Sequence, residues 1–287
     1  MKILVLGADG QLGQCVKDQQ KHTNFNFIHA SKKDLDISNE VNVLSYFKNL
    51  KPDIVLNLAA YTDVDGAESN HNQANLINGH ALSFISDACY NIKATLIHIS
   101  TDYVFDGLSK KPYKETDKVN PQSIYGKSKL IGEYAIQNSN CHYFIIRSSW
   151  IFSEYGSNFM KTVINLSQTR DSINVIDNQV GCPTYAQDLA RAIISVIIRI
   201  NKNKISSGIY HYCGDSSCSW YDFSKIIARE ILSNVKITAI GYEDYGSEAQ
   251  RPQYSSLNCD KFYNEFNFGP SQWKKGIETV VGKLIHD

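Results

Sequence analysis

The chain has 287 residues, of which 43% are hydrophobic and 20% charged, and its 29 Lys and Arg residues balance its 29 Asp and Glu residues. This length and composition indicate a globular protein with one large core or with two domains that share one. A net charge of zero argues against a general nucleic-acid or membrane-surface binder, and no apolar run reaches the roughly 18 residues of a membrane span.

The N-terminus and the cysteines both favour a cytoplasmic protein. The first apolar run covers only Ile3 to Leu6 before Gly-Ala-Asp-Gly, which is too short for a signal peptide and predicts a first β-strand instead. The seven cysteines are odd in number and form no Cys-x-x-Cys motif, so we expect neither a disulfide framework nor a zinc site.

Strand-like and helix-like segments alternate through the first half of the chain. The short apolar runs KILVLG, NFIHA, DIVLNLA, ATLIHIS and YFIIRSS predict strands that are buried on both faces. Helices are predicted between them over about 11–20, 39–50, 72–90 and 125–138. This alternation is typical of parallel strands joined by right-handed crossovers. It predicts the α/β class, with a doubly wound parallel sheet of the Rossmann type.

The alternation becomes less regular after about residue 150. INVIDNQ and GIYHYCG predict strands, 185–200 and 219–232 predict helices, and GYEDYGSEAQRPQ predicts an irregular loop. We therefore expect a cofactor-binding Rossmann domain over residues 1–150. A smaller C-terminal substrate-binding domain is expected over 151–287, with some segments returning to the Rossmann sheet.

The glycines after the first predicted strand indicate a dinucleotide site. Gly7, Gly10 and Gly13 form Gly-x-x-Gly-x-x-Gly between that strand and the first predicted helix. Glycine lets the backbone approach a ligand closely, and a helix N-terminus offers free N–H groups and a positive dipole end to a pyrophosphate. The strand before and the helix after are the context that such a site requires.

The end of the second predicted strand favours NADP(H) over NAD(H). An NAD-preferring site commonly has an acidic residue there, whereas this chain has Ser31, Lys32 and Lys33. A hydroxyl and two cations suit a 2′-phosphate, although lysines after a strand are also often simply solvated. Asp34 and Asp36 follow closely, so the use of NADH remains open.

Two motifs form a candidate catalytic centre. Tyr125 and Lys129 are four residues apart on a predicted helix and share one face. A lysine cation beside a phenol lowers the pKa of the phenol, which suits a tyrosine that acts as acid or base on a carbonyl group or an alcohol. Thr101 follows the fourth predicted strand, where open α/β sheets bind ligands, and its hydroxyl is suited to polarising a carbonyl. The alternatives are a chance Tyr-x-x-x-Lys spacing and a Thr101 that only caps a turn.

Six motifs occur in an order that a known family shares: GADGQLG, LAAYTDVDGAE, STDYVFDG, YGKSKLIGE, VGCPT and RPQYSSLN. With them the chain resembles the extended short-chain dehydrogenase/reductase superfamily and, within it, the dTDP-4-dehydrorhamnose reductases. The resemblance runs from residue 1 to roughly the final helix. It implies that NADPH, or NADH, reduces the C4 ketone of a dTDP-linked 4-keto-6-deoxy-L-sugar, giving dTDP-L-rhamnose for surface polysaccharide.

The resemblance also implies roles for individual residues. Tyr125 would donate the proton, Thr101 would orient the ketone oxygen, and Lys129 would tune Tyr125 and hold the nicotinamide ribose. The cofactor contacts, implied in part by the charge argument above, are Gly7, Gly10, Gln11, Leu12, Gly13, Ser31, Lys32, Asp36, Ile37, Ala59, Ala60, Tyr61, Thr62, Tyr125 and Lys129. The implied substrate contacts are Thr101, Asp102, Tyr103, Trp150, Asn158, Gln179 and Arg251. Arg251 is the candidate for the diphosphate because a guanidinium fork matches phosphate oxygens, whereas Trp150 is also explained by core packing.

The first helix departs from part of this family. Some members bind Mg²⁺ at a dimer contact through glutamates, one of them in that helix. Here the helix offers Gln14 and Cys15, which are poor ligands for a hard cation that prefers oxygen. We therefore expect no metal, and either a monomer or a homodimer.

Other activities differ in how well the motifs fit them. A 4,6-dehydratase needs a Thr-Asp-Glu pattern, and this chain has Thr101, Asp102 and Tyr103 instead. A nucleotide-sugar epimerase keeps its nicotinamide tightly bound and needs no net reductant, and the sequence disfavours it less strongly than a dehydratase. A reductase of another 4-keto-6-deoxysugar, such as one that forms a 6-deoxy-L-talose, would use the same machinery. A non-catalytic NADP-binding subunit, like the regulatory β subunit of methionine adenosyltransferase, is disfavoured by the intact triad.

Overall fold

The computed structural model describes residues 1–202 and 205–285. The strands are β1 (Lys2–Leu6), β2 (Asn26–Ala30), β3 (Ile54–Asn57), β4 (Thr95–Thr101), β5 (His142–Ser148), β6 (Ile151–Phe152), β7 (Ser172–Ile176), β8 (Val180–Gly181), β9 (Thr184–Tyr185), β10 (Gly208–His211), β11 (Cys218–Ser219) and β12 (Lys236–Ile240). The α-helices are α1 (Gln11–Gln19), α2 (Glu40–Leu50), α3 (Val64–Ser69), α4 (His71–Asn75), α5 (Ala81–Ile92), α6 (Ile124–Gln137), α7 (Phe159–Ser167), α8 (Ala186–Lys202), α9 (Trp220–Glu230), α10 (Asp260–Phe266) and α11 (Trp273–Ile285).

The central sheet has six parallel strands in the order β2-β1-β3-β4-β5-β10. From β1 the chain first moves outward to β2 and then returns to β3 on the other side, so the strand order reverses between β1 and β3. Open α/β sheets bind their ligands at the carboxyl ends of the strands at such a reversal. The predicted doubly wound parallel sheet is confirmed, and its topology places a ligand site beside the glycine turn.

Helices cover both faces of the sheet, which explains why its strands are continuous apolar runs. Successive side chains of a strand point to opposite faces. In β1, Ile3 and Val5 pack into the core under α1 and α8, while Leu4 and Leu6 pack into the core under α2 and α5. All four residues are at most 1% exposed.

The second half of the chain contributes to the central sheet and also builds a smaller core. β10 pairs with β5, and α8 packs against α1. Helices α7, α9 and α11 surround buried aromatic side chains that include Phe152, Phe223 and Trp273, next to the parallel pair β7 and β12. The division into a Rossmann domain over 1–150 and a substrate-binding domain over 151–287 stays a prediction.

The predicted helix over 72–90 differs from the structure in one respect. A π-helical turn, Leu76–His80, separates α4 from α5. It places the buried Asn78 amide against the loop after β3, where it binds both the N–H group and the carbonyl oxygen of Tyr61 at 2.8 and 2.9 Å. Short π segments of this kind frequently occur at functional sites.

Two further properties bear on the expectations from sequence. Among the described residues, no helix is long and apolar enough to cross a bilayer. The seven cysteines are free thiols, and residues 1–202 and 205–285 contain no cluster of three or more His, Cys, Asp or Glu side chains arranged to hold a metal. In α1, burial raises the pKa of Cys15 to about 12.

Candidate active site

A cleft of about 1170 Å³ runs along the carboxyl edge of the sheet. It is bordered by the turns after β1 to β4, by α6, α7 and α9, and by the loop over residues 241–253. Of the residues predicted for the cofactor and the substrate, all line this cleft except Tyr61. The backbone of Tyr61 is instead held by Asn78, so this residue shapes the loop whose neighbours Ala60 and Thr62 face the cleft.

The turn between β1 and α1 is built for close approach of an anion. Gly7 has a φ of +74°, and a Cβ atom there would lie 2.6 Å from the backbone nitrogen of Ala59. A Cβ atom on Gly13 would lie 2.5 Å from the carbonyl oxygen of Ala8. The N-cap of α1 is Gly10, which supplies no side-chain hydrogen bond, and the first turn contains no acidic residue. The first N–H groups of α1 are therefore free to bind phosphate.

The residues after β2 line the cleft where the adenosine of the cofactor is predicted to bind. The N–H and hydroxyl groups of Ser31 both donate to Asp34, at 2.8 and 2.6 Å. Asp36 accepts the hydroxyl of Ser38 at 2.7 Å, a bond that lowers the pKa of its carboxyl. Both carboxylates are thus occupied locally, while Lys32 is exposed and lines the cleft. This charge pattern fits a 2′-phosphate.

Thr101 and Tyr125 meet at the centre of the cleft. Thr101 is the last residue of β4, and its hydroxyl oxygen accepts the N–H group of Tyr103 at 3.2 Å, so it does cap a turn as well. Tyr125 is the second residue of α6, which begins with Ser123 as its N-cap. The ring of Tyr103 stands edge-on to that of Tyr125, with centroids 5.8 Å apart.

The expected lowering of the Tyr125 pKa by Lys129 is wrong in this structure. Burial raises the pKa of Tyr125 to about 12, and a hydrogen bond with Thr101 offsets this only in part. Nζ of Lys129 is directed away from the phenol and lies 2.7 Å from the carbonyl oxygen of Ile99 and 3.1 Å from Nε2 of His98. Tyr125 therefore keeps its proton at neutral pH, as a proton donor must.

Lys129 and its partners are buried beneath α6. Lys129 is 2% exposed and His98 is 1% exposed. Burial lowers the pKa of Lys129 to about 8, although the charge of Glu133 opposes this. The sequence reasoning missed His98; the signal was a polar residue two positions before Ser100, which places both on the same face of an otherwise apolar strand.

A buried ion pair attaches α6 to the sheet. Nε and Nη2 of Arg147 on β5 donate to the two oxygens of Glu133 on α6, at 2.9 and 2.6 Å. The hydroxyl of Ser100 donates to the same carboxylate at 2.5 Å. The pair was not predicted, because residues far apart in the chain form it. It fixes the helix that carries Tyr125 and Lys129.

Trp150, a predicted substrate contact, lines the cleft in a strained backbone conformation. Its φ is +46°, a region that large side chains rarely adopt. Its indole ring stacks on that of Trp220, with centroids 3.4 Å apart and planes 7° from parallel. A Cβ atom on Gly181 would lie 2.5 Å from this ring, so the absence of a side chain there makes room for the indole. The packing retains a backbone strain that costs roughly 1–3 kcal/mol, as is common at ligand sites.

Two predicted substrate contacts have buried polar atoms without protein partners. They are Nε2 of Gln179 and Oδ2 of Asp102, and both side chains line the cleft. Burial raises the pKa of Asp102 to about 7. Since buried polar atoms are nearly always hydrogen-bonded, these two mark positions where a polar ligand would bind.

Asn158 and Arg251 are already engaged by the protein. Asn158 caps α7 by accepting the N–H group of Lys161, and its amide donates to the side chain of Gln11 at 2.7 Å. Arg251 binds both carboxylate oxygens of Asp65 through its two terminal nitrogens, at 3.0 and 2.7 Å. Both residues line the cleft, but here each joins the two halves of the chain.

Comparison with known proteins follows this geometry. The RmlD substrate binding domain family matches residues 1–285. A dTDP-4-dehydrorhamnose reductase of Aggregatibacter actinomycetemcomitans is 36% identical, over 97% of this chain and 98% of its own length. The crystal structure of such a reductase from Clostridium acetobutylicum is 40% identical, with a TM-score of 0.93 and 99% of both chains covered. The reductase from Bacillus anthracis, solved in complex with NADP, is 34% identical, with a TM-score of 0.91 over 98% of this chain and 99% of its own.

Proposed function

The chain belongs to the RmlD substrate binding domain family of dTDP-4-dehydrorhamnose reductases, and we propose that it reduces the C4 ketone of dTDP-4-dehydro-L-rhamnose to dTDP-L-rhamnose. It is an oxidoreductase of the short-chain dehydrogenase/reductase type. NADPH is the proposed reductant, because its 2′-phosphate suits Lys32 and because the relative from Bacillus anthracis was solved with NADP. The product would serve surface polysaccharide synthesis.

The observation that carries this proposal is Tyr125, whose raised pKa keeps it protonated, beside Thr101 at the carboxyl edge of the sheet. Reduction of a ketone adds a hydride to carbon and a proton to oxygen. A phenol with a pKa of about 12 holds that proton at neutral pH, and the hydroxyl of Thr101, which lines the same cleft, would bind the same ketone oxygen. Dehydration would need a base at position 103, where this chain has Tyr103 packed edge-on against Tyr125.

The bound cofactor supplies the hydride, and the chain supplies position, charge and the proton. The free N–H groups of α1 would hold the pyrophosphate, and Lys129 would reach the nicotinamide ribose. Asp102, Gln179 and Trp150 would orient the sugar, since all three line the cleft and present unpartnered polar atoms or an aromatic face. Arg251 would contact the diphosphate with whatever donors its pairing with Asp65 leaves free.

The test is NADPH oxidation with enzymatically prepared dTDP-4-dehydro-L-rhamnose, comparing the parent with Tyr125→Phe. Loss of the general acid should lower kcat by roughly 10²- to 10⁴-fold, with NADPH binding retained. Tyr134→Phe is the matched control, because Tyr134 lies on the same helix with 48% of its surface exposed. It should keep the parent rate.

The product must also be identified, because the C4 stereochemistry distinguishes a rhamnose from a 6-deoxytalose. A folded parent that binds NADPH but oxidises none with this sugar would refute the proposed substrate. Conversion of sugars without added NADPH would instead favour an epimerase. A stable complex with a synthetase and no reductase activity would favour a regulatory subunit.

A further inference from the structure

A line of buried polar groups leads from the cofactor loop to Lys129. The backbone nitrogen of Ala59 lies 3.2 Å from Oδ1 of Asn57, and Nδ2 of Asn57 lies 3.1 Å from Nδ1 of His98. Nε2 of His98 lies 3.1 Å from Nζ of Lys129. Asn57, His98 and Lys129 are at most 2% exposed, so the groups in this line satisfy one another.

The backbone N–H group of Ala59 sets the direction of these hydrogen bonds, because it can only donate. It donates to Oδ1 of Asn57, which turns the NH₂ group of that amide toward His98. Nδ1 of His98 must then accept, and a neutral imidazole with an accepting Nδ1 carries its proton on Nε2. That proton points at Nζ of Lys129, which can accept it only as an uncharged amine.

We propose that Asn57 and His98 are positioning residues that favour the neutral amine of Lys129 over its ammonium in the ligand-free enzyme, by directing an N–H group at its lone pair. A charged Lys129 would need the other His98 tautomer, whose Nδ1–H group would face the NH₂ group of Asn57. Turning the amide over would relieve that conflict but would set its NH₂ group against the N–H of Ala59. Protonation of Lys129 therefore requires that two N–H groups face each other somewhere between Ala59 and Lys129.

The charges that face Lys129 do not reverse this preference. Glu133, one turn along α6, favours the ammonium, but its carboxylate is occupied by Arg147 and Ser100. Tyr125 faces Lys129 from the preceding turn and is uncharged, and burial holds the pKa of His98 well below its usual range. The carbonyl oxygen of Ile99 accepts an N–H of Lys129 in either charge state.

The first test measures protonation in the ligand-free protein and needs no activity. In protein with ¹⁵N-labelled histidine, His98 should carry its proton on Nε2, with Nδ1 unprotonated, at a pH above the Lys129 midpoint. The resonance is assigned by its loss in His98→Gln. A proton on Nδ1 under these conditions would overturn the proposal, and this measurement decides it even if no substitution at Asn57 folds.

The second test reverses the donor–acceptor direction of the hydrogen bonds that connect residue 57, His98 and Lys129. In Asn57→Asp the carboxylate accepts from both Ala59 and Nδ1 of His98, so Nε2 becomes an acceptor for an ammonium. The midpoint of Lys129, followed by its ¹³Cε shift and assigned with Lys129→Met, should rise by roughly one pH unit or more. Asn165→Asp makes the same change at an exposed site on α7 and should leave the midpoint unchanged. An unchanged midpoint in folded Asn57→Asp would refute the mechanism.

A kinetic test rests on the proposed function. Reduction consumes a proton, so kcat/KM for NADPH, whose pH dependence reports groups of the free enzyme, should fall at alkaline pH with a midpoint that follows Lys129, and this midpoint should move to higher pH in Asn57→Asp. An alkaline limb that stays in place while the ¹³Cε midpoint moves would contradict the link to catalysis. A parent that does not reduce the sugar would refute only the proposed function. The protonation site of His98 and the midpoint of Lys129, both measured on the ligand-free protein, would not be affected by that result.

Discussion

At the residue scale, Asp102 is a carboxyl group that links stability to pH. Its pKa in the folded protein is about 7, raised from 3.8 by burial, so between about pH 4 and 7 the folded state binds more protons than the unfolded state. Stability should therefore decrease as the pH rises through this window. Asp102→Asn cannot ionise, so relative to the parent it should be more stable at pH 8 than at pH 5, by an amount on the order of a few kcal/mol.

Urea unfolding of both proteins at the two pH values measures this difference. The comparison across pH matters because an amide at this position leaves a buried donor without a partner at every pH. Asp117→Asn, at an exposed site, is the control. A parallel pH dependence of parent and Asp102→Asn would show that Asp102 ionises normally in the folded protein.

At the element scale, the contact between α6 and the turn after β4 sets the positions of Thr101 and Tyr125, the proposed catalytic pair. A Cβ atom on Gly126 would lie 2.3 Å from the carbonyl oxygen of Tyr103. Gly126→Ala should push the start of α6 away from Thr101 and cost roughly 1–3 kcal/mol of unfolding free energy. Because Tyr125 moves with the helix, kcat should fall further than the loss of stability explains.

The control makes the same substitution where space is open. Gly282 lies in α11, and a Cβ atom there would meet nothing within 4 Å. Gly282→Ala should be neutral or stabilising and should keep the parent kcat, since alanine favours a helix over glycine. Unfolding curves and kcat of both variants are the measurements. Parent-like activity in Gly126→Ala would mean that α6 tolerates the shift.

At the scale of the whole molecule, the loop over 241–253 ties the two halves of the chain together across the cleft. Asn178 binds one end of it through the N–H group of Tyr242 at 2.9 Å, and Asp65 on α3 binds the other end through Arg251. Burial raises the pKa of Asp65, but its hydrogen bonds with Arg251 and its neighbours dominate and lower it. Asp65 is 42% exposed, so we expect its ion pair with Arg251 to contribute about 1 kcal/mol or less to stability.

Asp65→Asn should loosen this loop and raise the KM for the nucleotide sugar about fivefold, with kcat nearly unchanged, because ~1 kcal/mol corresponds to that factor. Faster proteolysis within the loop should accompany it. Glu248→Gln removes the same charge from an exposed position on the loop and should change neither property. An unchanged KM in Asp65→Asn would show that the pair does not position the loop for substrate.

Local patterns predicted much of the fold and the cofactor site. β1 and β2 end where their apolar runs end, and the glycine turn has the strand before it and the helix after it that the motif requires. The short strands β6, β8, β9 and β11 were missed because two residues carry no periodicity. The helix over 72–90 was predicted without its π turn, since the Asn78 contact that accompanies this turn joins residues 17 positions apart.

The sequence by itself determined the doubly wound sheet, which follows from local periodicity, and the glycine turn, which follows from a short motif. It also determined that Thr101 lies near Tyr125, because parallel strands end at one edge of the sheet. Only the tertiary structure decided the charge states of Tyr125 and Lys129. The pKa of Tyr125 is raised and that of Lys129 is lowered because burial disfavours charge, and burial depends on packing between distant segments. The pairings of Glu133 with Arg147 and of Asp65 with Arg251 depend on that packing as well.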